Sequence, residues 1–242
     1  MTSNRGAIIT WLGHAATKIE TADGTVILVD PFLEGNPTTP DDARIQKRVD
    51  LMLISHGHGD NMGDAVKIAQ QHQPHIIAMN ELCGYLSSKG AKDCSGGNTG
   101  GGQDWNGLRV TVVNAVHSSS IQDGDQLLYA GLAVGFVIRL NDGFTIYHAG
   151  DTDVFAGMEL IGRLYQPDVA LLPIGSHYTM GPLEAAEAIR LLGVKRVVPI
   201  HYGTFPILWG SPEALTKETS DVSDLRIIPL KPGESVSQAE LT

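Results

Sequence analysis

Two histidines, an aspartate and an asparagine follow a run of apolar residues in the segment Ser55-His56-Gly57-His58-Gly59-Asp60-Asn61. Residues 51–54 are all apolar, which is typical of a buried strand. His56 and His58 are two positions apart, so on an extended backbone they point to the same side and can bind one ion. The glycines permit the turn that brings Asp60 to the same centre. Imidazole and carboxylate are ligands that zinc, iron and manganese accept, so the segment predicts a metal site.

Further residues of metal-binding type stand at the ends of other predicted strands. They are Asp30 after 26–29, His117 after 110–116, Asp151 after 144–147 and His201 after 197–200. A lone histidine at a strand end is usually a solvated surface residue. Strand ends are also where a rigid scaffold directs side chains into one cleft, and the repeated placement therefore favours a shared metal site.

The elements that must position these residues can be read from apolar periodicity and turn residues. Strands are predicted at 7–12, 17–21, 25–29, 50–55, 76–78, 108–113, 133–140, 144–147, 169–172, 196–200 and 225–229, and helices at 63–72, 80–88, 156–165, 182–192 and 212–219. Asp23-Gly24 and Asn141-Asp142-Gly143 predict hairpin turns. The glycine-rich stretch 95–102 is expected to be irregular. No low-complexity linker interrupts the chain, so residues 1–242 are expected to form a single domain of two β-rich halves with helices outside.

Composition narrows the class of partner. The chain of 242 residues has 17 basic and 27 acidic side chains, a formal charge of −10, which repels nucleic acid. It has two cysteines, which we expect to be free thiols in a reducing compartment. We find no signal peptide and no apolar run long enough for a bilayer, so we expect a cytoplasmic protein without a membrane partner. A homo-oligomer is compatible with the sequence.

The order of these motifs resembles that of the metallo-β-lactamase superfamily. The segment His56-Gly57-His58-Gly59-Asp60 resembles the superfamily motif His-x-His-x-Asp-His. His117 in Val116-His117-Ser118-Ser119, Asp151 in His148-Ala149-Gly150-Asp151 and His201 in Pro199-Ile200-His201-Tyr202 follow in the superfamily's order.

More closely, the chain resembles a branch of this superfamily called metal-dependent hydrolase, which is related to the ascorbate-6-phosphate lactonases. The matching stretches are Val29-Asp30-Pro31-Phe32-Leu33, Gly96-Gly97-Asn98-Thr99-Gly100-Gly101, Leu172-Pro173-Ile174-Gly175, Tyr178-Thr179-Met180-Gly181-Pro182 and His201-Tyr202-Gly203-Thr204-Phe205-Pro206. They extend over most of the chain, and together they are specific. The resemblance implies an α/β (α+β) fold, a four-layer αββα sandwich with metals in a cleft at one edge between two sheets.

The resemblance also implies a ligand set of one or two divalent ions. His56, His58 and His117 would hold the first ion, Asp60 and His201 the second, and Asp151 would bridge both. We expect zinc, with manganese, iron or nickel as alternatives.

The chain departs from the family pattern at Asn61, where the second site usually takes a histidine. A carboxamide oxygen is a weaker ligand than imidazole for borderline metals. The second site would then be weak, labile or filled by a harder ion, or the change would be inactivating.

Four more residues resemble family positions near the cleft. We expect His14 and His148 to orient ligands or contact substrate rather than to bind metal, and Asp30 to orient a metal-bound histidine. His177 either contacts substrate or caps a turn.

These observations predict an enzyme that hydrolyses a small-molecule ester, lactone, amide or phosphoester with water activated by a metal, Asp60 acting as the catalytic carboxylate. One alternative is a nuclease of the same superfamily, which the acidic charge disfavours. Another is a metal-binding or sensor protein without catalysis, which Asn61 makes plausible.

Overall fold

The computed structural model describes residues 6–242, which form two compact units, each built on a seven-stranded mixed sheet. The first unit comprises the described residues up to Asn98, together with Ser118–Leu132 and Leu230–Thr242. The second comprises Thr99–His117 and Ala133–Pro229. That residues 1–242 act as a single domain stays a prediction.

The sheet of the first unit carries the segment of His56 at the end of a central strand. Its strands are β1 Ile8–Gly13, β2 Ala16–Glu20, β3 Val26–Val29, β4 Leu51–Ile54, β5 His75–Met79, β6 Cys94–Gly97 and β16 Ser235–Ser237. Their order is β16-β1-β2-β3-β4-β5-β6, antiparallel from β16 to β3 and parallel from β3 to β6. Strands β2 and β3 pair through Glu20 and Val26, so the hairpin predicted at Asp23-Gly24 is confirmed. A separate hairpin consists of β9 Ser120–Asp123 and β10 Gln126–Tyr129.

The helices of this unit are short. They are α1 Gly59–Met62, α2 Ala65–His72, α3 Asn80–Ser88 and α7 Gln238–Leu241, with a 3-10 turn at Asp41–Ala43. The helix predicted over 63–72 begins later, because Gly63 has φ 42° and a Cβ there would lie 2.5 Å from the Cα of Phe32. Within residues 6–242, no helix is both long and apolar enough to cross a membrane.

The second unit places four parallel strands side by side. Its strands are β7 Gly102–Trp105, β8 Leu108–Asn114, β11 Val134–Arg139, β12 Thr145–His148, β13 Val169–Pro173, β14 Arg196–Ile200 and β15 Arg226–Ile227. Their order is β15-β14-β13-β12-β11-β8-β7. Because β12, β13 and β14 are parallel, their carboxyl ends meet at one edge of the sheet. The residues that follow these strands therefore lie along that edge.

The helices of the second unit are α4 Met158–Tyr165, α5 Pro182–Leu192 and α6 Pro212–Glu218. Proline begins α5 and α6, as predicted, since a first-turn N–H has no partner inside its helix. The Glu184 side chain accepts a hydrogen bond from the Gly181 N–H at 3.0 Å, and Gly193 ends α5 with φ 65°. Tyr147 of β12 is fully buried in the core of this unit, and that burial raises the pKa of its phenol.

One prediction of local structure is wrong. The glycine-rich stretch 95–102 was expected to be irregular, yet β6 covers Cys94–Gly97 and β7 begins at Gly102. Strand β6 pairs in parallel with β5 from Ile76 and Cys94 onward. A strand ladder requires only backbone groups, so glycine is compatible with it where a neighbouring strand supplies the partners.

Candidate metal centre

Strand β4 delivers two histidine rings that converge. His56 is fully buried, and its Nε2 lies 3.0 Å from Nδ1 of His58, with the rings 4.6 Å apart at 80°. Two nitrogens bound to one tetrahedral zinc at about 2.0–2.1 Å would lie roughly 3.3 Å apart. The observed spacing is therefore close to that of two ligands on one ion, and the nitrogen donors suit a borderline divalent metal.

The orientation of His56 is set by the buried carboxylate of Asp30, which follows β3, the neighbour of β4 in the sheet. The Asp30 carboxylate accepts hydrogen bonds from the Ser55 N–H at 2.8 Å and from the Ser55 hydroxyl at 2.7 Å. Because that hydroxyl donates to Asp30, its oxygen accepts from Nδ1 of His56, 3.0 Å away. The proton on Nδ1 leaves Nε2 as the nitrogen with a lone pair, the form needed by a metal ligand. Asp30 therefore orients His56 through Ser55.

His14 and Asp60 form a second contact in the same unit. Nε2 of His14, which is fully buried, lies 3.1 Å from Oδ2 of Asp60, whose side chain is 35% exposed. The Trp11 indole donates to the His14 carbonyl at 2.8 Å, and the Phe32 ring meets the imidazole edge-on at 5.9 Å. His14 is thus fixed from its backbone and its ring, and it holds one oxygen of Asp60.

Asn61 lies in α1 and is fully buried. Its Nδ2 donates a hydrogen bond to Oδ2 of Asp30 at 3.2 Å. Asp30 thus receives hydrogen bonds from both Ser55 and Asn61. The residue at which this chain departs from the family pattern, Asn61, is therefore bonded to the carboxylate that orients His56.

The second unit brings together a second group of metal-binding type. Nε2 of His201, fully buried after β14, lies 3.0 Å from Oδ2 of Asp151, and Nε2 of His117 lies 3.9 Å from the same oxygen. Asp151 is 2% exposed. A carboxylate oxygen facing two imidazoles has the donor types that a divalent metal requires.

Backbone contacts hold His117 beside Asp151. The Val116 N–H donates to Oγ1 of Thr152 at 3.0 Å, and the Asp153 N–H donates to the Val116 carbonyl at 3.0 Å. The residue before His117 is therefore joined to the two residues after Asp151 by two hydrogen bonds.

Three of these residues have left-handed backbones. His14, Asp30 and His201 have φ of 54°, 48° and 56°. For a residue other than glycine this conformation costs of order 1–3 kcal/mol and persists where the surrounding structure imposes it, often at functional sites. Sequence reasoning identified these residues by type but carried no signal of this backbone conformation. It also missed Ser55 and Thr152, whose roles depend on hydrogen bonds between distant segments.

His148 and His177, the other two histidines expected near the cleft, lie in different environments. His148 is fully buried at the end of β12, and its Nδ1 accepts from the Gly150 N–H at 3.2 Å. His177 is exposed, and its ring meets that of Tyr178 edge-on at 4.4 Å. The structure thus places His177 on a surface loop of the second unit and His148 inside that unit.

A family model and a curated relative match most of the chain. The beta-lactamase superfamily domain matches residues 25–202. The UPF0173 metal-dependent hydrolase of Koribacter versatilis is 47% identical over 96% of this chain and 99% of its own length.

Solved structures show the same architecture. Igni18, a metallo hydrolase from the archaeon Ignicoccus hospitalis, has a TM-score of 0.84 and 35% identity, covering 96% of this chain and 97% of its own. The isothiocyanate hydrolase from Delia radicum gut bacteria has a TM-score of 0.71 with 18% identity, over 95% of this chain and 98% of its own. At that identity the second similarity concerns the fold alone.

Proposed function

The chain belongs to the beta-lactamase superfamily, among the UPF0173 metal-dependent hydrolases, and from this premise we propose that it hydrolyses a small-molecule ester, lactone, amide or phosphoester. It is a metal-dependent hydrolase with the metallo-β-lactamase fold, a mixed α/β architecture with two large sheets. The proposal concerns the bond that is cleaved and the residues that act.

The proposed ligand set draws on both groups of residues. His56, His58 and His117 would hold the first ion, Asp60 and His201 the second, and Asp151 would bridge them. Within each unit the proposal is supported by the contact of His56 with His58 and by the contact of His201 with Asp151. Combining the two groups follows the order of the family's motifs along the chain.

The observation that carries the proposal is the convergence of the His56 and His58 nitrogens, supported by the hydrogen bonds from His56 to Ser55 and from Ser55 to Asp30. A bound divalent ion would polarise the substrate oxygen and lower the pKa of a water that it coordinates. Zinc is the proposed ion, because nitrogen-rich donor sets suit it.

Asp60 is the proposed catalytic carboxylate. His14 fixes one of its oxygens at 3.1 Å, and 35% exposure lets water reach the side chain. In hydrolysis, water adds to the carbonyl or phosphoryl centre and its proton passes to the departing oxygen or nitrogen. Asp60 orients that water and transfers the proton. His148 and His177 remain candidates for orienting the site or contacting substrate.

The proposed setting is the cytoplasm. Both Cys83 and Cys94 are thiols, which supports a reducing compartment.

The direct test combines metal analysis with a substrate panel. The purified protein should contain one to two equivalents of divalent metal and hydrolyse at least one member of a panel of esters, lactones, amides and phosphodiesters. His58→Ala should lose the first ion and Asp151→Asn at least one ion, each with a loss of activity of at least about 100-fold. His72→Ala, on a half-exposed helix end, is the matched control and should keep metal and rate.

Two outcomes would overturn this proposal. Full metal content and rate in both ligand variants would exclude the assigned residues. Metal without turnover of any panel member would favour the metal-binding or sensor alternative instead.

A further inference from the structure

Two loops of the second unit expose large apolar side chains at the edge of the sheet where β13 and β14 end. Tyr178 lies in the loop after β13, and Phe205, Ile207 and Trp209 lie in the loop after β14. Their exposed fractions are 58%, 36%, 44% and 68%. Clustered exposed side chains of this size mark binding surfaces more often than isolated ones do. We call these four residues the apolar rim.

The two loops are joined to each other and to the segments of Asp151 and His201. The Gly210 N–H donates to the Gly175 carbonyl at 3.2 Å, which links the loops. The Met180 N–H donates to the carbonyl of Thr152, the residue after Asp151, at 3.0 Å. A Cβ on Gly175 would lie 2.0 Å from the His201 carbonyl oxygen, so the two backbones are in direct contact. The apolar rim is therefore built onto the backbone that presents these two proposed ligands.

The loop that carries Tyr178 has an unusual backbone. Ser176 and His177 are consecutive residues with φ of 65° and 63°. The Tyr178 N–H donates to the Ser176 carbonyl at 2.8 Å, and the His177 ring meets the Tyr178 ring edge-on. Left-handed residues other than glycine are costly, persist where the surrounding structure imposes them, and are concentrated at active sites and ligand-binding segments. This turn directs Tyr178 to the surface rather than into the core.

Charge distinguishes what the rim can bind. Residues 174–181 and 202–211 contain no lysine, arginine, aspartate or glutamate. Recognition of a phosphate or carboxylate on a substrate usually uses arginine or lysine. The rim instead offers aromatic and aliphatic surface, which suits an uncharged apolar group.

We propose that the apolar rim binds an uncharged alkyl or aryl substituent beside the scissile bond, so that the preferred substrates are hydrophobic esters, lactones or amides rather than phosphorylated compounds. This inference rests on the proposed function. A second copy of the chain is the competing occupant of the rim.

The test uses the metal-loaded full chain and 4-nitrophenyl acetate, butyrate and hexanoate. Because each buried methylene contributes up to about fourfold, kcat/KM should rise from acetate to hexanoate. Bis(4-nitrophenyl) phosphate should be a poorer substrate than the hexanoate. Trp209→Ala should lower the ratio of hexanoate to acetate kcat/KM by about tenfold, whereas Trp209→Tyr should retain most of that ratio. Leu164→Ala, which removes a similarly exposed side chain from α4, should leave both rates unchanged.

Direct binding separates this inference from the proposed function. Calorimetry with 4-nitrophenyl hexyl ether, which cannot be hydrolysed, should show binding that Trp209→Ala weakens about tenfold. If no ester is cleaved but the ether binds in this manner, the rim stands and the proposed function fails. If the esters are cleaved with no preference for length and Trp209→Ala changes neither ratio nor ether binding, the rim assignment is overturned. Light scattering tests the competing occupant. If Trp209→Ala lowers the molar mass of the protein but leaves the hexanoate-to-acetate ratio of kcat/KM unchanged, the rim binds a second copy of the chain and the proposal is overturned.

Discussion

Asp30 joins two positions of the candidate site in the first unit, Ser55 beside His56 and Asn61. Its buried carboxylate accepts hydrogen bonds from the Ser55 backbone, the Ser55 hydroxyl and the Asn61 amide. Hydrogen bonds to an ionised group contribute about 1.5–3 kcal/mol each, and they are strongest where water is excluded. The same carboxylate therefore fixes the tautomer of His56 and the position of Asn61. This arrangement explains how one acidic residue outside the proposed ligand set can influence both proposed metal positions.

Asn61 gives the sharpest prediction at the scale of one residue. Asn61→His should strengthen binding of the second ion by about 10–100-fold, the range that changes around a metal ligand produce. The physical reason is that an imidazole at 61 can donate Nδ1–H to Asp30, as the amide now does, and still present Nε2 to a metal. Calorimetric titration of the apoprotein with Zn²⁺ at neutral pH would measure the change.

The control for this prediction is Asn61→Ala, which removes the donor to Asp30 without adding a ligand. It should bind the second ion no more tightly than the unmodified protein. Two equally tight sites in the unmodified protein would show that asparagine suffices at this position. In that case His14, which lies 3.1 Å from Asp60, would be the first candidate for the missing imidazole.

At the scale of elements, the parallel strands explain why distant residues act together. Asp151 follows β12 and His201 follows β14, and both strands pair with β13 in parallel register. The two residues are 50 positions apart in sequence, yet the shared edge of the sheet brings their side chains to 3.0 Å.

Glycines in two helices allow the packing of the helices to be tested. A Cβ on Gly162 in α4 would lie 2.2 Å from the Leu192 carbonyl oxygen of α5, whereas a Cβ on Gly84 in α3 would meet nothing within 4 Å. Gly162→Ala should destabilise the protein by about 1–3 kcal/mol through overpacking. Gly84→Ala, the matched control, should stabilise it by about 0.5–1 kcal/mol because alanine favours a helix. Chemical denaturation of both variants would measure the two changes, and shifts of the same sign would contradict the packing argument.

The sequence predicted elements best where a local rule determines the structure. The turn at Asp23-Gly24, the turn at 141–143 and the proline-led helices α5 and α6 were all predicted, since each depends on neighbouring residues. The hairpin of β9 and β10 and strand β16 were missed. Strand β16 pairs with β1 through Val236 and Ile9, more than 200 residues apart, and a three-residue strand has no periodicity of its own.

The same distinction between local rules and distant contacts applies to the candidate site. Residue types and strand ends identified His56, His58 and Asp151, and the structure brings each beside another residue of metal-binding type. The contacts of His14 with Asp60 and of Asn61 with Asp30 were not predictable, because each joins segments that are 46 and 31 residues apart in sequence.

At the scale of the whole molecule, charge and composition agree with a small-molecule hydrolase. The formal charge of −10 disfavours a polyanionic substrate. The loops after β13 and β14 have no lysine or arginine that would attract one. Each unit also contributes its own residues of metal-binding type, His56 and His58 in the first and Asp151 and His201 in the second. If both groups bind the same ions, as proposed, metal binding must be linked to the stability of the whole chain.

Removal of metal should therefore lower the melting temperature of the protein. A ligand that binds only the folded state at 100 times its Kd stabilises that state by about 2.7 kcal/mol. In a chain of this size each kcal/mol changes Tm by roughly 2–4 °C, so EDTA followed by desalting should lower Tm by about 5–11 °C. Returning Zn²⁺ should restore the original value in a calorimetric scan. His58→Ala and Asp151→Asn should respond much less to EDTA, because each lacks a proposed ligand, while His72→Ala should respond like the unmodified protein. An equal Tm before and after complete metal removal would show that these histidines and carboxylates do not couple metal binding to folding.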